Sequence, residues 1–81
     1  MFKNKNIDGS LNLCCKNITR LRKLKGLSQR ALADKLQLTG IDLNKNAIQQ
    51  IESGQRFVTD IELKAFAIFF NVTTDELIDK L

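Results

Sequence analysis

Apolar residues recur along this chain in short runs at helical spacing, interrupted by turn and capping residues. In LNLCCKNITRL, Leu11, Cys14, Ile18 and Leu21 fall at i, i+3, i+7 and i+10, one stripe of a helix. This predicts a first helix over about 12–26, closed by Gly26, a residue suited to the position just past a helix end. Ser28 is an N-cap for a second helix over Gln29–Leu38, with Leu32 and Leu36 inward, Ala33 beside them and Gly40 to end it. Ile41 and Leu43 are apolar residues in the connection that follows, expected to tuck down as plugs. Asn44 is the N-cap of a third helix, with Ile48 and Ile51 as its apolar seam and Gly54 just past its end. Thr59-Asp60-Ile61-Glu62 is a capping box opening a fourth helix that runs to about residue 71. Thr73-Thr74-Asp75-Glu76 is a second capping box, opening a short fifth helix. There is no proline and strand periodicity is weak, so the predicted fold is all-α, a compact five-helix domain over residues 11–81. Residues 1–10 read as a flexible N-terminal arm.

Composition agrees with a single small domain: 81 residues, 43% hydrophobic and 27% charged. No apolar run approaches the roughly 20 residues of a membrane span. The opening MFKNKNIDGS lacks the apolar stretch of a secretion signal, so the expected location is cytoplasmic.

Charge adds a direction. The net charge is +4, but it is unevenly placed. Residues 1–35 carry nine Lys/Arg against two Asp, a balance of +7; residues 36–81 carry four Lys/Arg against seven Asp/Glu, a balance of −3. A basic half suits an anionic partner such as nucleic acid, although a solvated helix surface with a lysine-bearing tail would give the same count.

Candidate chemistry is sparse. The chain has no histidine, and Cys14 and Cys15 are its only cysteines. This removes the commonest general base and zinc ligand, and leaves a thiol without an imidazole partner. Adjacent cysteines do not ordinarily bridge, and Cys14 lies on the apolar stripe as a small core side chain. No enzyme, metal site or cofactor is expected.

The informative face is on the third helix. With about 100° between successive residues, Asn46, Gln49, Gln50 and Ser53 fall opposite the Ile48 and Ile51 seam, flanked by Lys45. Side-chain amides donate and accept at once, so Asn and Gln match adenine N6/N7 and Lys matches guanine O6/N7 in the major groove. Amides could also serve only to solubilise a surface helix. Context narrows the choice. The inward Ala33 permits close approach of the second and third helices, and a tight pair with a protruding polar second member is a helix-turn-helix. In that motif the second member enters the groove and the first crosses the phosphate backbone.

GLSQRALADKL followed by NAIQQIESGQR, with NITRLRKLKG before and LKAFAIFFNVTTDEL after, resembles the lambda-repressor-like (Cro/Xre-type) helix-turn-helix family. The similarity extends over about residues 11–79. The resemblance implies a five-helix DNA-binding domain, usually a transcriptional regulator that binds a two-fold operator as a dimer. It implies that Lys45, Asn46, Gln49 and Gln50 read base edges of double-stranded DNA. It implies that Gln29 contacts a phosphate and braces the recognition helix, that Arg56 lies in a loop meeting the backbone, and that Asn44 is a further phosphate candidate; independently of the resemblance, Arg22 is a candidate surface phosphate contact. One departure stands out. The family joins its two motif helices by a turn of about four residues, whereas residues 39–43 lengthen this connection by about five. Closure entropy grows slowly with loop length, so the helices are expected to keep their places while the loop bulges. Asp42 is unwelcome near phosphate, so the bulge is expected to face away from the duplex.

Two further features follow from spacing. Glu52 lies one turn after Ile48 and Arg22 one turn after Ile18, so both lean inward. A lone buried carboxylate is costly, and an Arg22–Glu52 ion pair resolves the cost; the family often has such a pair. The fourth helix carries two apolar stripes, Leu63, Phe66, Ala67 and Phe70 facing the core, and Ile61, Ala65, Ile68 and Phe69 beside them. With Phe57 and Val58 in the preceding loop, the second stripe is a candidate homodimer interface; alternatively the arm, through Phe2 and Ile7, folds over it. The leading function is a sequence-specific DNA-binding regulator, expected to act as a repressor. The alternative is an antitoxin-like or adaptor module that keeps the fold and binds another protein.

Overall fold

The computed structural model describes residues 9–78. Among them are five α-helices and no strand: α1 (Cys15–Leu24), α2 (Gln29–Leu38), α3 (Lys45–Glu52), α4 (Asp60–Phe70) and α5 (Thr74–Ile78). No helix among the described residues is long and apolar enough to cross a membrane.

Local chemistry sets most of these bounds. The Ser28 hydroxyl accepts from the Ala31 N–H at 3.0 Å, and the Asn44 side chain accepts from the Ala47 N–H at 2.8 Å. At α4 both halves of the capping box are present, with Thr59 Oγ accepting from the Glu62 N–H at 3.1 Å and Glu62 Oε1 from the Thr59 N–H at 3.0 Å. Thr73 and Glu76 repeat that reciprocal pair at 3.1 and 3.0 Å to open α5. α1 ends with Leu27 N–H on the Arg22 carbonyl and Gly26 N–H on that of Lys23, at 3.1 and 2.9 Å. This pattern needs a left-handed residue past the helix end, which Gly26 supplies with φ of 69°. Asn71, at φ of 56°, does the same for α4.

Two expectations are corrected. α1 begins at Cys15, three residues later than the periodic stripe suggested, because Asn12 is engaged elsewhere. Its Oδ1 accepts from the Cys14 N–H at 3.1 Å, while its amide reaches across to α3 and the loop after it. The connection between α2 and α3 spans residues 39–44, six residues, so the family turn is lengthened by two and not by five. Leu43 seals it, only 1% exposed, with Ile41 partly buried against the same core, while Asp42 stays in solvent.

The core joins all five helices. Ile18 of α1, Leu32 and Leu36 of α2, Ile48 and Ile51 of α3, Phe66 of α4 and Leu77 of α5 are each at most 1% exposed. α2 packs against α3, α1 against both α3 and α5, and α4 against α5. Ala33, 2% exposed, adds almost no bulk to the core face of α2. Among the described residues Asn17 is the one polar residue buried in this core, and its amide donates to the Leu77 carbonyl at 2.7 Å, tying α1 to α5. Cys14 is a core side chain, and burial, the largest influence on it, pushes its thiol pKa up to about 11. A thiol so raised is almost wholly protonated at neutral pH and is a poor nucleophile.

Of the arm expected over residues 1–10, residues 1–8, with Phe2 and Ile7, lie outside the described residues. Ser10 is partly buried and packs against Gly54.

Candidate nucleic-acid interface

α3 faces two ways. Ile48 and Ile51 are wholly buried, while Lys45, Asn46, Gln49 and Gln50 are exposed together on the other side. None of the four makes a side-chain hydrogen bond among the described residues. Their donors and acceptors are thus open to an external partner. Asn44, at the N-terminus of the helix, uses its side-chain oxygen for capping and keeps its NH₂ donors exposed.

Behind this face the helix is clamped. Arg22 Nε lies 2.7 Å from Glu52 Oε2, and Arg22 Nη2 lies 3.0 Å from Glu52 Oε1, a bidentate pair. The side chains are 12% and 6% exposed. Arg22 Nη1 donates to the Leu27 carbonyl at 2.7 Å, and Gln29 Nε2 donates to Glu52 Oε1 at 3.1 Å. One carboxylate therefore joins the C-terminal end of α1, the first residue of α2 and the last residue of α3. Each inward charge came from the residue one turn past a buried isoleucine, which is why spacing made the pair visible.

This geometry changes the standing of two phosphate candidates. Arg22 is expected from sequence as both an ion-pair partner and a phosphate contact; its Nε, Nη1 and Nη2 each hold a partner within the domain, its side chain is 12% exposed, and one hydrogen remains on each Nη. The ion-pair part of that expectation is what the geometry shows. Arg56 is also paired, with Nη1 3.1 Å from Glu62 Oε1 and Nη2 3.4 Å from Glu62 Oε2. Its side chain is 33% exposed, so the pair lies at the surface and can exchange for another anion. Burial pushes the Glu62 carboxyl up, but hydrogen bonds from Arg56 and from the Thr59 backbone outweigh it and hold the group below the usual glutamate range. Spacing gave no sign of this pair, because Arg56 lies in a loop outside any helical register with Glu62. Gln29 keeps a second amide hydrogen beyond the one given to Glu52.

The six candidate dimer residues do not form a uniform surface. Ile61 and Ile68 are each 70% exposed and Phe57 53%. Val58 and Phe69 instead pack partly against the core, and Ala65 is half-buried. Phe69 meets the Phe70 ring edge-on at 5.1 Å, and the Lys25 ammonium lies 5.7 Å from the Phe69 ring centre.

An α2–α3 pair packed through small and branched apolar residues, with the polar face of its second helix outward, defines a helix-turn-helix protein. Residues 18–77 match the helix-turn-helix family model of the Cro/C1 type, and the chain belongs to that family. It is a DNA-binding helix-turn-helix protein with the all-α architecture of lambda-repressor-like domains. No curated protein and no solved structure matches the chain.

Proposed function

We propose that this protein is a sequence-specific transcriptional regulator, a repressor that docks α3 in the major groove of its operator as a homodimer. The observation that carries this reading is the outer face of α3, where Lys45, Asn46, Gln49 and Gln50 are exposed together without side-chain partners on a helix fixed from behind. Those four side chains select the sequence through base edges. Gln29 and Asn44 contribute phosphate contacts through their remaining amide donors, and Arg56 does so when it leaves Glu62. Two-fold pairing through Phe57, Ile61 and Ile68 sets two α3 helices about one helical turn of DNA apart. Repression follows from occupancy that excludes polymerase. In this reading the 39–44 connection, with exposed Asp42, faces away from the duplex.

Gel-shift titration of DNA from beside the chain's own gene, against random duplex and at several salt concentrations, tests the proposal. A site-specific shift whose affinity falls steeply with salt is expected. Equal affinity for both DNAs would overturn it.

A second reading has its own support. Ile61 and Ile68, each 70% exposed, also suit a different protein as partner, as in an antitoxin-like or adaptor module. Absence of a site-specific shift, with dimerisation that survives substitution of both isoleucines, would favour it.

A further inference from the structure

The segment just before α1 crosses the C-terminal end of α3 and is bonded at three points, one on the helix and two on the backbone that follows it. Leu11 N–H donates to the Gly54 carbonyl at 2.8 Å. One Asn12 amide nitrogen donates to both the Ile51 carbonyl at 3.1 Å and the Arg56 carbonyl at 2.9 Å. Both NH₂ hydrogens of Asn12 are thus directed at backbone on either side of the α3 terminus, while its oxygen holds Cys14 N–H. The fit is close. A Cβ placed on Gly54 would lie 2.8 Å from Ser10 Cβ, and Gly54 has φ of 79°, so glycine is required there twice over.

One of these contacts falls on the last turn of α3, at Ile51, and two on the backbone just beyond it, at Gly54 and Arg56. The helix has only eight residues, and Gln49 and Gln50 stand within one turn of Ile51. The Arg22–Glu52 pair restrains one side of its last turn, and the segment over residues 10–12 restrains the backbone beyond it. Without the second restraint, the end of α3 can fray and its axis can pivot about the ion pair.

We propose that residues 10–12 form a strap that fixes the pose of the recognition helix, with Asn12 as the positioning residue for base readout. The proposal rests on α3 being the DNA-reading element. Asn12 touches no base; it acts by holding Gln49 and Gln50 in register with the groove. Misplacement of a reading helix costs bidentate base contacts, which depend on angle, before it costs phosphate contacts, which tolerate reorientation.

Asn12→Ala and Asn12→Ser in the full chain test this. Serine retains an oxygen for the Cys14 N–H but cannot span to α3, so it leaves the start of α1 intact and carries the test if the alanine variant unfolds. Hydrogen exchange and gel shifts are measured well below each variant's melting point. The expected result is at least tenfold faster exchange at the Ser53, Gly54 and Gln55 amides, with the Leu77 amide unchanged. The ratio of operator to random-duplex affinity should fall at least tenfold, with random-duplex affinity within twofold of the parent. A lower melting point with that ratio unchanged would overturn the proposal, as would unchanged exchange at the three amides. If the parent chain prefers no sequence, the regulator reading fails by itself, and the strap stands or falls on the exchange rates.

Discussion

The outward faces of α3 and α4 differ in kind although their inward faces are alike. Each helix buries branched or aromatic side chains, Ile48 and Ile51 in one, Phe66 and Phe70 in the other. Outside, α3 presents three amides and a lysine, and α4 presents Ile61 and Ile68. An unpaired amide is satisfied by water or by a polar partner, whereas an exposed isoleucine gains only from removal from water. The two faces therefore differ in the chemistry they offer a partner, hydrogen-bonding groups at α3 and apolar surface at α4. Folding stability explains neither, since both could be replaced by ordinary charged side chains without loss to the core.

The largest effect is expected where the α3 face is anchored. Arg22→Ala leaves Glu52 buried without its partner and should lower the unfolding free energy by about 3–5 kcal/mol. Lys23→Ala, one residue away and exposed, should stay within about 0.5 kcal/mol. Denaturant titrations of the two variants compare them, and equal midpoints would show that the clamp does not hold α3.

Breaking the α4 side comes next. Ile61→Lys with Ile68→Lys should weaken self-association by about 3 kcal/mol, with two large apolar side chains lost from each copy. Helical content should not change. Sedimentation equilibrium that gives the same mass for parent and variant would place the partner of this face elsewhere.

On α3 itself, Gln50→Ala should cost about 1–3 kcal/mol of discrimination at one or two base positions and leave random-duplex binding nearly intact. Selection of preferred sites from a randomised pool reads this directly; an unchanged preferred sequence would remove Gln50 from the readers. Arg56→Ala should weaken binding to all sequences alike and flatten the salt dependence.

The smallest effect concerns acid. The Glu62 pKa is held down in the folded state, so the folded state favours its carboxylate. Its contribution is fully present above the ordinary glutamate value of 4.5 and is lost as pH falls through the lower folded value. Glu62→Gln keeps a capping-box acceptor but not the charge. The stability gap between parent and variant should therefore narrow as pH drops below 4.5, and a gap that widened would reverse the assignment.

What the sequence disclosed divides along the same physical line. α2, α3 and α4 were bounded by caps whose partners lie three residues away, so their limits could be read from adjacent letters. The Arg22–Glu52 pair was legible because each member sits one turn from a buried isoleucine, although they are 30 residues apart. The start of α1 is not legible in the sequence because the Asn12 amide finds its partners 39 and 44 residues on, which no local period records. In the sequence Arg56 reads as available because the letters place its acceptor, Glu62, in a cap. Its second oxygen and second role became visible only in three dimensions.

The most direct measurement is an NMR titration of the labelled chain with operator duplex, following side-chain NH₂ groups and methyls together. The NH₂ signals of Asn46, Gln49 and Gln50 should shift and gain protection from solvent exchange, while the Ile61 and Ile68 methyls stay where the free protein shows them. Shifts centred on those methyls, with the α3 amides unmoved, would contradict a DNA-reading role for α3.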